Sequence, residues 1–195
     1  MYGNYESESL RRFRISRGRF VTGREGNMKE YDYIGGRLKD IRRRRSENVD
    51  PNKPNSSLAI YELYFEDEGE TFVLSLLQSN GSTRDILRVL YQIKDFRDAM
   101  IKIDVYQTEN RNKPEQPYTN ASVRVNGKKI DWATLPKPMK VTMSDGSIRY
   151  DFSNVYEMLD RFVNVIAGRL HAKEDDGDYP DVEDDNFENG EFVEC

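Results

Sequence analysis

The alternation of apolar and polar positions changes its rhythm several times along the chain, and each change marks an element. In SLAIYELYFEDE, Ala59, Tyr61, Leu63 and Phe65 alternate with Leu58, Ile60, Glu62 and Tyr64, the two-residue period of a half-buried strand. The turn DEGE then leads into TFVLSLLQS, where Phe72, Leu74 and Leu76 share one face, so the two segments form a hairpin. Upstream, YDYIGGRLKDI sets Tyr31, Tyr33, Leu38 and Ile41 among charged residues and predicts a first strand, bent or bulged at Gly35-Gly36. The period switches at NGSTRDILRVLYQI: Ser82 stands three residues ahead of Asp85 as in a capping box, and Ile86, Leu87, Val89, Leu90 and Ile93 form a helical stripe. Ile101, Ile103 and Val105 then alternate with Lys102, Asp104 and Tyr106 in a fourth strand. ASVRVNGKKIDWA supplies a fifth, with Asn126-Gly127 as the strongest turn signal in the chain. KPMKVTMSDGSIRY predicts a further hairpin. Val155, Leu159, Phe162, Ile166 and Leu170 stripe a final helix that must pack on something.

Between these elements lie loops. SENVDPNKPNSS is a loop by its prolines, asparagines and serines, and the polar stretch ENRNKPEQPYTN is long enough to be functional. Residues 1–30 are rich in Arg, Gly, Ser and Glu; FRISRGRF has the makings of a short strand, but the composition predicts a mostly irregular basic arm. The expected layout is therefore an arm over 1–30, a β domain over 31–150, an amphipathic helix over 151–173 and a disordered acidic tail over 174–195. Three meandering strands, a helix and two more strands is the element order of an OB-fold. The expected class is mainly β, a five-stranded OB-like barrel with one inserted helix, an additional C-terminal helix and the acidic tail.

Charge sharpens this division. All 30 Lys and Arg precede Glu174 with twenty-four of the 35 acids, so residues 1–173 carry +6 while the last twenty-two residues carry eleven carboxylates and no cation. Residues 11–45 alone hold thirteen basic side chains against four acids, an asymmetry that suggests a polyanionic partner. The one cysteine, Cys195, allows no internal disulfide, and no apolar run approaches the roughly 20 residues of a membrane span. A cytoplasmic setting with no membrane association is the expectation.

Candidate chemistry is sparse. One His and one Cys exclude a Ser/His/Asp triad without His171, leave no well-placed Cys/His pair, and rule out a zinc site of several Cys or His. His171 reads as a solvated residue. The Walker loop, G-x-G-x-x-G and H-E-x-x-H motifs do not occur, and EDDGD lacks EF-hand spacing. Glu62, Glu66, Asp67 and Asp104 are the acids that a metal-dependent nuclease would need to converge. The expectation is a binding protein rather than an enzyme, with no metal and no cofactor. Aromatic residues interleave with cations, the mixture single-stranded nucleic acid needs, because phosphates demand charge and unstacked bases demand flat π faces.

The layout resembles single-stranded-DNA-binding proteins of bacterial and phage type: a basic OB-like body followed by an acidic tail with hydrophobic residues near its end. YDYIGGRLKDI, IKIDVYQT and VRVNGKKIDWA are similar to strands of small OB-like proteins of Bacteroides and their phages. The resemblance implies sequence-independent binding of single-stranded DNA in replication or recombination. It also implies a tail that recruits replication or recombination proteins and competes with DNA for the basic face. The residues assigned to phosphate contact are Arg37, Lys39, Arg42, Arg44 and Lys102, with Arg111 and Lys113 closing the loop over the strand. Tyr64, Tyr106, Tyr118 and Trp132 are assigned to stacking. Phe187 and Phe192 are assigned to the protein partner, although the tail ends Phe192-Val-Glu-Cys where bacterial family tails usually end Pro-Phe. The alternative is a structural or scaffolding protein of a phage or bacterial assembly.

Overall fold

The computed structural model describes residues 10–23, 26–45, 58–111 and 113–172. The described residues are mainly β with two helices. The loop over 46–57 and the tail over 174–195, with Phe187 and Phe192, lie outside the described residues.

Strands begin where the composition reads least like strand. The stretch expected to be an irregular arm supplies β1 (Arg11–Ser16), β2 (Arg19–Thr22) and β3 (Lys29–Tyr31). The physical reason is the two-residue period in RRFRIS, which sends Phe13 and Ile15 to one side of β1 and Arg12 and Arg14 to the other. Phe13 and, from β2, Phe20 are buried in the main core. After them come β4 (Tyr33–Arg45), β5 (Ala59–Asp67), β6 (Glu70–Leu77), helix α1 (Gly81–Leu90), β7 (Met100–Thr108), β8 (Tyr118–Val125) and β9 (Lys128–Lys129). A separate hairpin of β10 (Met139–Thr142) and β11 (Ile148–Asp151) precedes helix α2 (Ser153–His171).

Nine strands form one mixed sheet in the order β3-β2-β1-β6-β5-β4-β7-β8-β9. Every neighbouring pair is antiparallel except β1 and β6, which run parallel. Among the described residues the ladder is open, ending at β3 and β9, and no pairing closes five strands into a barrel. The outer edge of β6 is occupied by β1 instead.

Strand β4 is the pivot. Its first half pairs with β7, from Tyr33–Asp104 to Arg37–Met100, and its second half pairs with β5, from Arg37–Glu66 to Arg45–Ala59. The handover needs a backbone that both neighbours can approach. Gly36 sits there with φ +152°, and a Cβ on it would lie 2.6 Å from the Glu66 carbonyl oxygen. The expected bend is therefore located, and the bulge falls just after it, between Leu38 and Asp40.

The expected inward sets hold. Ala59, Tyr61, Leu63 and Phe65 of β5, Leu74 and Leu76 of β6, and Ile101, Ile103 and Val105 of β7 are buried together with Ile86, Leu87 and Leu90 of α1. The α2 stripe packs on this same core through Leu159, Phe162 and Ile166, with Val163 beside them, and its Tyr91–Phe162 ring contact at 4.2 Å joins it to the end of α1. Polar bonds fix its position: the Tyr61 hydroxyl donates to Asp160 Oδ1 at 2.6 Å, Arg43 Nε donates to the same oxygen at 2.8 Å, and Gln78 Nε2 donates to the Tyr61 oxygen at 2.7 Å. Burial, then the bond to Asp160, pushes the Tyr61 phenol well above its usual range, so it stays a donor.

The capping box is not formed. Asn80 is the N-cap without a side-chain cap bond, Ser82 is buried inside the first turn, and Asp85 turns away to accept the Ala121 N–H of β8 at 3.1 Å. Docking the helix on β8 wins over capping it. Burial raises the Asp85 carboxyl above 3.8, against the lowering effects of the Ala121 N–H, Arg88 and Arg84. A carboxyl raised on folding contributes most stability below 3.8 and loses it as pH climbs through the folded pKa. Asp85→Asn is thus expected to keep the acceptor and remove that pH-dependent loss. Asp85→Ala leaves the Ala121 N–H unpaired and costs about 1–3 kcal/mol. Thermal melts of the three proteins at neutral pH and near pH 4 check both statements.

Candidate nucleic-acid interface

The outward side of β1, β6, β5 and β4 gathers arginines by strand register alone. One row across the four strands reads Arg14, Ser75, Glu62, Arg42; the next reads Arg12, Val73, Tyr64, Asp40. Arg44, two residues beyond Arg42, leaves on the same side. The run Arg42 to Arg45 is thereby split: Arg42 and Arg44 face outward, while Arg43 turns to the α2 side and its Asp160.

Glu62 stands at the centre of this face and is 2% exposed, because the arginines cover it. Arg12 Nη1 lies 2.7 Å and Arg44 Nη2 3.0 Å from its Oε1, and the Tyr64 hydroxyl donates to Oε2 at 3.1 Å. Burial first, then this bond, raises the Tyr64 phenol above its usual range and keeps it a neutral donor. Arg42 donates from Nε to Asp40 Oδ2 at 2.6 Å and lays its guanidinium over the Tyr64 ring, 4.7 Å from the centroid. Burial pushes the Asp40 carboxyl up, but the bonds from Arg42, His171 and the Ile41 N–H outweigh it and hold the carboxyl below its usual range. His171, read from sequence as solvated, is more than half exposed yet has Nε2 2.9 Å from Asp40 Oδ1. Three guanidiniums, of Arg12, Arg42 and Arg44, thus meet two carboxylates on one face, and the carboxylates fix where they point; Arg14 instead donates from Nη2 to Met28 Sδ at 3.6 Å.

The remaining residues assigned from sequence do not join this cluster. Lys102 and Tyr106 lie outward on β7, where register places Lys102 beside Arg124 and Lys129. Lys102 Nζ sits 4.0 Å above the Tyr33 ring and 3.6 Å from Asp104 Oδ1. Asp104 Oδ2 is buried there without a hydrogen-bond partner among the described residues. Arg37 is exposed at the β4 handover, and Lys39, in the bulge, pairs with Glu66 at 3.4 Å. Tyr106 and Tyr118 are both exposed. Arg111 and Lys113 stand in the β7–β8 loop, which Asn110 shapes by donating Nδ2–H to the Gln116 carbonyl and accepting the Lys113 N–H. Trp132 is half exposed and belongs with α1: Arg88 lies 4.8 Å from its ring and donates to the Ala133 carbonyl.

Two residues that complete the arginine face, Arg12 and Arg14, were not assigned from sequence. Their signal was present in the alternation of RRFRIS, and the arginine content of the arm masked it. Among the described residues no three His, Cys, Asp or Glu side chains converge as a metal site would require. No described helix is long and apolar enough to cross a membrane. Compared with family models, with curated proteins and with solved structures, the chain matches none of them.

Proposed function

We propose that the chain binds single-stranded DNA through the outward face of β1, β6, β5 and β4, acting in phage or bacterial DNA replication or recombination. The observation that carries this is the register that sets Arg12, Arg14, Arg42 and Arg44 around Tyr64. Guanidiniums spaced by strand register match a phosphate backbone, and a base stacks on Tyr64 or on the Arg42 plane, each stack contributing about 1–3 kcal/mol. The five-strand order β6-β5-β4-β7-β8, with α1 between the third and fourth strands in sequence, supports an OB-like reading in which β1 takes the edge that closure would use. In OB-folds the second and third strands, here β5 and β6, hold oligonucleotides with help from the loop between the fourth and fifth, here the loop of Arg111 and Lys113.

Glu62 is a positioning residue in this scheme. It puts one negative charge into the face, and in return the Arg12 and Arg44 guanidiniums are held before DNA arrives, which lowers the entropy lost on binding. The tail from Glu174 competes for the face with its eleven carboxylates, and Phe187 and Phe192 are offered to a replication or recombination partner when DNA displaces it. The setting is cytoplasmic, and no enzymatic step is assigned.

A scaffolding role is the second reading, and the β10–β11 hairpin favours it: Met139, Val141, Ile148 and Tyr150 are all exposed on a two-stranded sheet that such sheets rarely sustain alone. Competition separates the two. Labelled oligo-dT bound to the protein should be displaced by unlabelled oligo-dT at concentrations where an equal length of duplex displaces little. Duplex that competes equally, or failure to bind either, sinks the single-strand reading.

A further inference from the structure

A second site opens at the end of the sheet where β1, β3, the start of β4 and the β5–β6 turn meet. It is a cavity of about 330 Å³, within the range of small-molecule pockets. Its walls are the rings of Phe13, Tyr31, Tyr33 and Phe72. Phe13 meets Tyr31 and Phe72 edge-on at 5.5 and 5.4 Å, and Phe72 stacks on Phe65 at 5.4 Å, so the inner walls are braced by the core. Tyr33, 56% exposed, is the most open of the four, and Lys102 Nζ lies 4.0 Å from its ring centroid.

The rim has a different character from the arginine face. Asp67, Glu68 and Glu70 of the β5–β6 turn supply three carboxylates, and Arg11 supplies one cation, 3.8 Å from Glu70. Such a rim repels phosphate. Aromatic side chains bordered by acceptors suit a flat ring with amino hydrogens on its edge, since carboxylates accept from the cytosine amino group and find no amino donor on thymine.

The cavity also adjoins the proposed phosphate track. Arg11 and Arg12 are consecutive residues of β1, so their side chains leave on opposite sides: Arg12 to the outward face and Arg11 to the cavity rim. A strand whose phosphate lies on Arg12 can turn its next base over the end of β1.

We infer that this cavity takes one nucleobase of the bound strand and selects bases that carry an exocyclic amino group. The inference rests on the single-strand reading above and adds a mild base preference to it. Oligo-dC and oligo-dT of equal length test it, because both stack weakly and differ at the edge the carboxylates would read. Oligo-dC should bind about fivefold or more tightly than oligo-dT. In the full chain carrying Asp67→Ala, Glu68→Ala and Glu70→Ala, both oligonucleotides should bind more tightly as three negative charges go, while their ratio falls to about one because alanine leaves no acceptor at the rim. These turn residues are exposed, and a thermal melt confirms that the variant is folded. Equal affinity of the parent protein for the two oligonucleotides would overturn the inference, as would a dC preference that survives the triple substitution. If neither oligonucleotide binds, the single-strand reading itself falls, an outcome distinct from both.

Discussion

Replacing Arg12 and Arg44 together by alanine is expected to cost both stability and DNA affinity, and adding Glu62→Gln is expected to restore only the first. The double variant strips Glu62, 2% exposed in the parent, of both guanidiniums and of much of its cover, and leaves the carboxylate with the Tyr64 hydroxyl and incoming water. Exposed ion pairs usually contribute little, but an uncompensated buried charge costs several kcal/mol. The half-exposed arginines and the water that replaces them hold the loss below that range, at about 1–2 kcal/mol. Glutamine removes the charge while keeping an acceptor for Tyr64, so most of the loss should return. Affinity should not return, because the two phosphate contacts are gone in both variants: about tenfold or more weaker binding, with a log–log salt slope shallower by about 1.4. Denaturant melts and oligo-dT titrations of the three proteins separate the effects. A double variant as stable as the parent would mean that Glu62 does not depend on its arginines.

Gly36→Ala is expected to be strongly destabilising. The φ of +152° is one that side chains rarely adopt, which alone costs on the order of 1–3 kcal/mol. A Cβ would also press to 2.6 Å from the Glu66 carbonyl, which is backbone held in the β4–β5 ladder and has no room to swing aside. A total of about 3 kcal/mol or more lowers the melting temperature by roughly 6–12 °C for a chain of this size. Gly127→Ala is the control: Gly127 has φ +77° in the β8–β9 turn and nothing within 4 Å of its added Cβ, so it should lose only the conformational cost of about 1 kcal/mol. Equal melting temperatures for the two variants would show that β4 does not need glycine at its handover.

Legibility in the sequence followed the locality of the signal. Tyr61, Leu63 and Phe65 declared their strand and its inward face because nothing interrupts the alternation, and Asn126-Gly127 declared its turn because the left-handed backbone there wants those residues. The parallel pairing of β1 with β6 has no local signature, since partners so far apart in sequence are chosen by the shared core that Phe13 joins. Composition misled over residues 11–22, where five arginines stand among four apolar residues, Phe13, Ile15, Phe20 and Val21. Asp85 misled for a related reason: its capping spacing is local, while the Ala121 N–H it accepts belongs to a strand 36 residues away. Of the assigned phosphate-binding residues, Arg42 and Arg44 come together with Tyr64, and strand parity explains why Arg43 between them serves α2 instead. The buried Glu62 was the least legible feature, because a charged residue on the outward parity reads as solvent-exposed until its covering arginines are known.

The most direct measurement is a titration of the full chain into fluorescently labelled oligo-dT at two salt concentrations. Binding at micromolar protein or tighter, weakening steeply as salt rises because phosphate contacts release counterions, is the predicted result. No binding at micromolar protein, or an affinity that ignores salt, would contradict a nucleic-acid role for the arginine face.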